Sequence, residues 1–352
     1  MSISLFYIYE DVNITSLHNR KEVYMNKIRW GIIGTGKIAR TFAKAINGTE
    51  DAELYAVASR TSHNAEEFAL KFGADKAYGS YRELAEDKNV DVVYIATPMA
   101  SHYNDAMLCI ENGRNVLCEK TLSLNSAMTK EIIDFAKEKN VFFMEAMWMK
   151  CRPVFLKVLE WINAGKIGTP RYIKADFSNY IPYDENDRLF RADCGGGALL
   201  DLGVYPLTFA HAIFGYPDEI ISSAEISSDG VDVNNTILLK YNDGRFVSAD
   251  NGFRLQLSNN AMVSGTEGFI TMGLWFHCTS DIALYGKRSE LIEKFSCEPE
   301  INGYEYEIRE VHKCLRNGLK ESPLVSHEGT IEVMKIMDEC RKQWGMKFPQ
   351  EK

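Results

Sequence analysis

Hydrophobic and polar positions change rhythm twice along this chain. From Lys27 onward, short apolar runs alternate with stretches whose apolar residues recur every third and fourth position. IRWGIIG, LYAVAS, VDVVYIAT, NVLCEK and VFFMEAM read as strands covered on both faces, because they lack the polar alternation of a half-exposed strand. ARTFAKAINGTED, NAEEFALKFG, SHYNDAMLCIENG and NSAMTKEIIDFAKEKN separate them and read as helices, two of them ending in a glycine suited to a C-cap. Strand and helix in alternation imply a parallel sheet with helices on its faces, a doubly wound α/β domain over residues 26–147.

After Trp148 the pattern shifts. RPVFLKVLEWINAG predicts a helix, and RYIKADFSNY, TILLKYNDGRFVSADNGF and NAMVSGTEGFITMG then alternate as half-buried strands, with Asn242-Asp243-Gly244 as one of their turns. Two helical patterns close the chain, YEYEIREVHKCLRNG and SHEGTIEVMKIMDECRKQWG, the second with Ser326 as N-cap. Residues 148–352 are therefore expected to form an α+β domain with a mainly antiparallel sheet. Met25 is followed at once by NKIRWGIIGTG, so residues 1–25 are expected to be a weakly ordered N-terminal extension.

Composition narrows the function classes. The formal net charge of −9 offers no broad positive field for a phosphate backbone, so nucleic acid is not an expected partner. The longest apolar run, ALLDLGVYPLTFAHAIFG, is broken by Asp201, Pro206 and His211, and no membrane span is expected. Glu10 and Asp11 directly follow a very short apolar start without a basic region, so a cytoplasmic protein is expected rather than a secreted one. Eight scattered cysteines form no C-x-x-C pair, which suggests neither a zinc cluster nor a disulfide framework.

Candidate chemistry begins at Gly34-Thr35-Gly36-Lys37-Ile38-Ala39, which follows a strand and opens a helix in the G-x-G-x-x-G/A form. The first glycine permits the tight turn, the second lets a pyrophosphate approach the backbone, and the helix N-terminus supplies amides and partial positive charge. The second strand ends in Ala58-Ser59-Arg60-Thr61-Ser62, where a carboxylate would mark NAD. A guanidinium with neighbouring hydroxyls suits a 2′-phosphate instead, so NADP is favoured and NAD is the alternative; a solvated loop arginine is the plainer reading. Thr97 and Pro98 end the fourth strand and can shape the nicotinamide side of the crevice, whereas His102 serves equally well as a helix residue with no ligand. Glu119 and Lys120 close the fifth strand at the same edge, where Glu119 joins the cofactor-binding set and Lys120 is a candidate catalytic cation or an ordinary surface lysine.

In GGGALLDLGVY, residues 195–205, Asp201 and Tyr205 stand four apart and share a helix face if Leu199 onward is helical. The plainer reading is a flexible turn, a helix-start carboxylate and a core aromatic. Trp148, Lys150, Arg152 and Arg191 are further candidates for the pocket or its rim, each equally fit for a structural role.

Taken together, GTGKIA, ATPMASH, CEKTLSL and GGGALLDLGVY resemble the glucose-fructose oxidoreductase, inositol dehydrogenase and rhizopine catabolism (Gfo/Idh/MocA) family over nearly the whole chain from Met25. EAMWMKCRPVF and the glycine-rich run look most like its dimeric dihydrodiol and D-xylose dehydrogenase branch. The resemblance implies a Rossmann domain, then an α+β domain whose open sheet forms a dimer interface and whose terminal helices pack back on the first. It implies substrate held above the nicotinamide, with Lys120, Asp201 and Tyr205 at the catalytic positions. It also implies a hydride exchanged between NAD(P) and a sugar, polyol or dihydrodiol. A permanently bound cofactor used for internal redox and a non-catalytic dinucleotide sensor are the alternatives. Where the family has proline after Glu-Lys this chain has Thr121, for which a trans peptide is expected because cis costs about 2.5–4 kcal/mol there. Tyr205 is the expected base, which requires moving a phenol from near 10 toward 7, about 4 kcal/mol, with Lys120 as the source.

Overall fold

A computed structural model describes residues 27–351 of the chain, so the expected N-terminal extension lies outside the described residues. Six parallel strands form the first sheet: β1 (Ile28–Ile33), β2 (Ala52–Ala58), β3 (Lys76–Tyr78), β4 (Val92–Ile95), β5 (Asn115–Glu119) and β6 (Phe143–Ala146). Their order is β3-β2-β1-β4-β5-β6, so the direction of winding reverses between β1 and β4, where open α/β sheets hold their ligands. Five helices, α1 (Lys37–Gly48), α2 (Ser62–Phe72), α3 (Tyr81–Glu86), α4 (Met99–Glu111) and α5 (Ser126–Glu138), connect them. In α1 the buried positions are Ala39, Phe42, Ala43, Ala45 and Ile46, recurring mainly at three and four so that one face lies on the sheet, and Phe42 stacks on Tyr94 of β4 at 3.6 Å between ring centroids.

Two elements of this region carried no periodic signal. β3 has three residues, two of them exposed, and α3 is only six residues long. What marks α3 is a capping box, in which the Ser80 hydroxyl accepts from the Glu83 N–H and the Glu83 carboxylate accepts from the Ser80 N–H.

The second sheet has eight strands. After helix α6 (Pro153–Asn163) come β7 (Pro170–Ser178), helix α7 (Val204–Phe214), β8 (Glu219–Ile226), β9 (Asp232–Lys240), β10 (Phe246–Gly252), β11 (Ala261–Gly265), β12 (Gly268–Met272), β13 (Asp281–Gly286) and β14 (Leu291–Ser296). The order is β14-β13-β12-β11-β7-β10-β9-β8, antiparallel throughout except where β10 runs parallel to β7. One face is buried through Ile173, Ala175, Val247, Ala249, Ile237 and Val263. The opposite face leaves apolar side chains partly uncovered, among them the Tyr172–Phe246 and Phe269–Tyr285 pairs and Ile221.

The chain closes with α8 (Glu305–Arg316) and α9 (His327–Trp344), and Ser326 caps α9 as expected by accepting from Gly329 N–H at 3.2 Å. Both helices return to the first sheet: Trp30 Nε1 donates to His312 Nε2 at 3.0 Å, and Arg341 Nη2 donates to Leu124 O at 3.0 Å. The run Ala192–Phe214 is long and apolar enough to cross a membrane by composition, yet 78% of its most apolar window is buried inside the fold.

Candidate functional site

A cleft of about 1070 Å³ opens along the carboxyl ends of β1, β2, β4 and β5 and runs to α7 and α8. Its floor is the turn after β1. Gly34 holds φ +99°, and a Cβ there would lie 2.8 Å from Ala96 O, so only glycine makes this turn. Gly36 precedes α1, and a Cβ there would meet no protein atom within 4 Å, so the space above it stays open. The first turn of α1 has neither a capping side chain nor an acidic residue, which leaves its N–H groups and partial positive charge to an anion. Thr35, Lys37 and Ile38 line the same floor. These features fit a dinucleotide pyrophosphate.

At one end of the cleft stand buried Ser59 and exposed Arg60, which among the described residues makes no ion pair. Thr61 and Asn64 join them on the wall. At the other end Thr97 donates its hydroxyl to Asp105 Oδ2 at 2.6 Å, and Pro98 precedes α4. His102 borders the cleft, but its ring nitrogens lie 3.0 Å from Thr121 O and 2.9 Å from Thr97 O, and burial pushes its pKa down to about 4. As a neutral ring it has one N–H and donates to one of these two carbonyls at a time.

Lys120, Asp201 and Tyr205 do meet at this second end, together with Glu119. Leu199–Gly203 forms one turn of π-helix before α7, a wider turn than the α-helical spacing anticipated, although Asp201 and Tyr205 still face one cleft. Asp232 starts this turn by accepting from Leu199 N–H at 2.8 Å, and Gly197 reaches it at φ +118°. Pro206 has no N–H to return to the turn. Two of the turn's carbonyls accept from the residues just after β5: Thr121 Oγ1 donates to Leu200 O at 2.6 Å and Lys120 Nζ to Asp201 O at 2.7 Å. The Lys120–Thr121 peptide is cis, correcting the trans geometry expected; buried Thr121 donates its hydroxyl there to Leu200 O.

The charges differ from expectation at one point. Burial raises the Asp201 carboxyl, but the Lys120 ammonium at 3.7 Å and the Arg188 guanidinium at 3.3 Å outweigh it and hold the group below its usual range. Tyr205 is 6% exposed, and burial pushes its phenol well above the usual value. A bond donated by Trp148 Nε1 at 2.9 Å opposes this rise, while Glu119 and Asp201 add to it. Lys120 Nζ lies 5.1 Å from the Tyr205 ring centroid, over its face, with its hydrogen bond directed at Asp201. The free protein therefore holds Tyr205 as a neutral phenol rather than one drawn toward 7.

Of the four rim candidates, Trp148 reaches the site. Arg152 is buried behind that indole at 5.3 Å and donates to Cys278 O, Arg191 pairs with Asp193 in solvent, and Lys150 does not line the cleft. Arg188 and Tyr304 line it and were not anticipated. Arg188 opens a 3-10 turn of only three residues, too short for a periodic signal, and Tyr304 precedes α8 as one aromatic among many.

The comparisons with known proteins agree with this geometry. A family model described as an oxidoreductase family with an NAD-binding Rossmann fold matches residues 28–147, and the GFO/IDH/MocA C-terminal domain matches residues 155–271. The chain is 37% identical over 343 residues to trans-1,2-dihydrobenzene-1,2-diol dehydrogenase of Mus musculus, covering 92% of this chain and 99% of that protein. It is 34% identical over 333 residues to the human protein of that name, with the same coverage. Among solved structures, a 3-ketoreductase from Actinomadura kijaniata in complex with NADP and TDP-benzene superposes with a TM-score of 0.80 at 26% identity, covering 90% of this chain and 98% of that one. An aldose-aldose oxidoreductase from Caulobacter crescentus shares the fold, with a TM-score of 0.81 at 18% identity over 91% of this chain and 98% of that one.

Proposed function

The chain belongs to the Gfo/Idh/MocA family of oxidoreductases, and on that premise we propose an NADP-preferring dehydrogenase acting on a secondary alcohol or cyclic hemiacetal of a sugar, polyol or trans-dihydrodiol. The observation that carries this reading is the convergence of Lys120 and Tyr205, from opposite halves of the chain, in the cleft that begins at the glycine turn. Nicotinamide supplies or accepts the hydride when the cofactor is bound. Gly34, Thr35 and Gly36 with the start of α1 hold its pyrophosphate, and Ser59 and Arg60 hold a 2′-phosphate.

The rest of the chemistry is proton placement. Trp148 donates to the Tyr205 oxygen, so the phenol directs its own proton away from the indole and toward a substrate oxygen. Tyr205 then protonates a carbonyl oxygen during reduction. In oxidation it first releases that proton to solvent and, as the phenolate that the Lys120 ammonium over its ring favours, then takes the alcohol's proton as the hydride leaves carbon. Asp201 orients Lys120 through both its carbonyl and its carboxylate, and Arg188 holds that carboxylate from the mouth of the cleft.

Absorbance of reduced cofactor, followed with NADP+ or NAD+ and a panel of aldoses, inositols and trans-dihydrodiols, tests turnover; no reduction by any of them removes this reading. Arg60→Ala is expected to weaken NADP+ binding by about 10- to 100-fold, the worth of a charged hydrogen bond of roughly 1.5–3 kcal/mol, with NAD+ little affected. Equal loss for both nucleotides defeats the 2′-phosphate assignment. The partly uncovered aromatic face of the second sheet supports a homodimer, for which light scattering is expected to give about twice the mass of one chain. A monomer at micromolar concentration removes it.

A further inference from the structure

One acid of the core has no role in the chemistry above. Glu307, on α8, is fully buried, and neither of its carboxyl oxygens has a hydrogen-bond partner. Glu119 lies at the cleft wall, 8% exposed, with donors at both oxygens: the Tyr94 hydroxyl on Oε1 and the Lys120 backbone N–H on Oε2 at 3.2 Å. Burial pushes both carboxyls up. Glu119 rises to about 7, with the Tyr94 hydrogen bond and Lys120 opposing and Glu145 adding; Glu307 rises well above the carboxylate range, by burial first and the Glu119 charge second. Two carboxylates in one interior do not both ionise. Glu307, without a donor, keeps its proton, and Glu119, with donors on both oxygens, is the better placed of the two to carry the charge.

Position gives that charge a target. Ser59 and Arg60 follow β2, on one side of the glycine turn, and Glu119 ends β5 on the other. A dinucleotide with its pyrophosphate on α1 and its adenosine ribose at Arg60 would extend its nicotinamide toward β5. The oxidised ring carries a positive charge and the reduced ring none. On the cofactor reading above, we propose that Glu119, lining the cleft at the end of β5, is the residue by which this protein discriminates oxidised from reduced nicotinamide, its carboxylate favouring the oxidised form.

The ionisable groups facing Glu119 are Tyr94 from β4, Lys120 beside it, Glu145 from β6, Tyr205 from α7, and Tyr304 and Glu307 at α8. The tyrosines are held neutral, and Lys120 is engaged by Asp201. By linkage, binding the oxidised cofactor then expels the proton of Glu119, and binding the reduced cofactor does not.

The test is the ratio of dissociation constants for NADPH and NADP+, measured by fluorescence or calorimetric titration from about pH 5.5 to about pH 8.5. The 2′-phosphate titrates in both nucleotides and cancels. The ratio is expected to shift about tenfold toward NADP+ as pH rises through about 7. Glu119→Gln is expected to flatten the curve while both nucleotides still bind, and Glu307→Gln, neutral at every pH, to preserve it. A flat wild-type curve, an unchanged slope in Glu119→Gln, or a flattened one in Glu307→Gln overturns the proposal. Failure of both nucleotides to bind counts against the cofactor reading instead.

Discussion

Replacing Tyr205 by phenylalanine is expected to lower turnover by about 10²- to 10⁴-fold, the usual worth of a positioned proton donor or acceptor, while NADP+ affinity stays within about threefold. The ring survives the change. Its contacts with Phe177 at 5.4 Å and His277 at 4.8 Å persist, so the cleft keeps its shape and only the hydroxyl is lost. Trp148 Nε1 is left without its acceptor, at a stability cost of about 1–3 kcal/mol for a buried orphan donor. Stopped-flow absorbance for turnover and a separate binding titration distinguish the outcomes; wild-type turnover in the variant removes Tyr205 from the mechanism. Because burial holds the phenol neutral, the oxidation rate of the unmodified protein should rise with pH, while reduction, which uses the protonated form, is not favoured by that rise.

Lys120→Met is the second large effect. It keeps the length and apolar stem of the side chain but removes the ammonium, leaving the Asp201 carboxylate with Arg188 alone. Turnover is expected to fall by about 10²- to 10³-fold in both directions, because removing a catalytic group cannot shift the reaction's equilibrium, and the pH at which oxidation gains rate is expected to move upward without the ammonium beside the phenol. Initial rates followed across pH check this. A loss with an unchanged pH profile indicates that Lys120 only holds the π-helical turn in place, and an unchanged kcat removes it from the reaction.

Most of the architecture was legible because periodicity survives burial. Strands such as VDVVYIAT and helices such as α5 announced themselves by apolar spacing, and the glycine turn by its place between a strand and a helix. β3, α3, β8, β13 and β14 were not anticipated: the first is three residues long, the second is set by a cap rather than a stripe, and β14 is an exposed edge without a clean alternation. In the site, strand ends and a four-residue spacing pointed to Lys120, Asp201 and Tyr205. Arg188 and Tyr304 were hidden, since their approach depends on how loops and helices far apart in the chain fold over one another. The electrostatic error had the same origin. Sequence spacing placed an ammonium near a phenol, but only the fold reveals that its hydrogen bond goes to Asp201 and that burial dominates the phenol.

The bond from Lys120 to a main-chain oxygen separates where the ammonium is kept from which side chain stands at position 201. Substituting Asp201 would change the local charge and the fit of a ligand, yet the peptide oxygen that anchors the lysine would remain. A change at residue 201 or 188 thus alters the charge of this end of the cleft while the ammonium keeps its main-chain anchor.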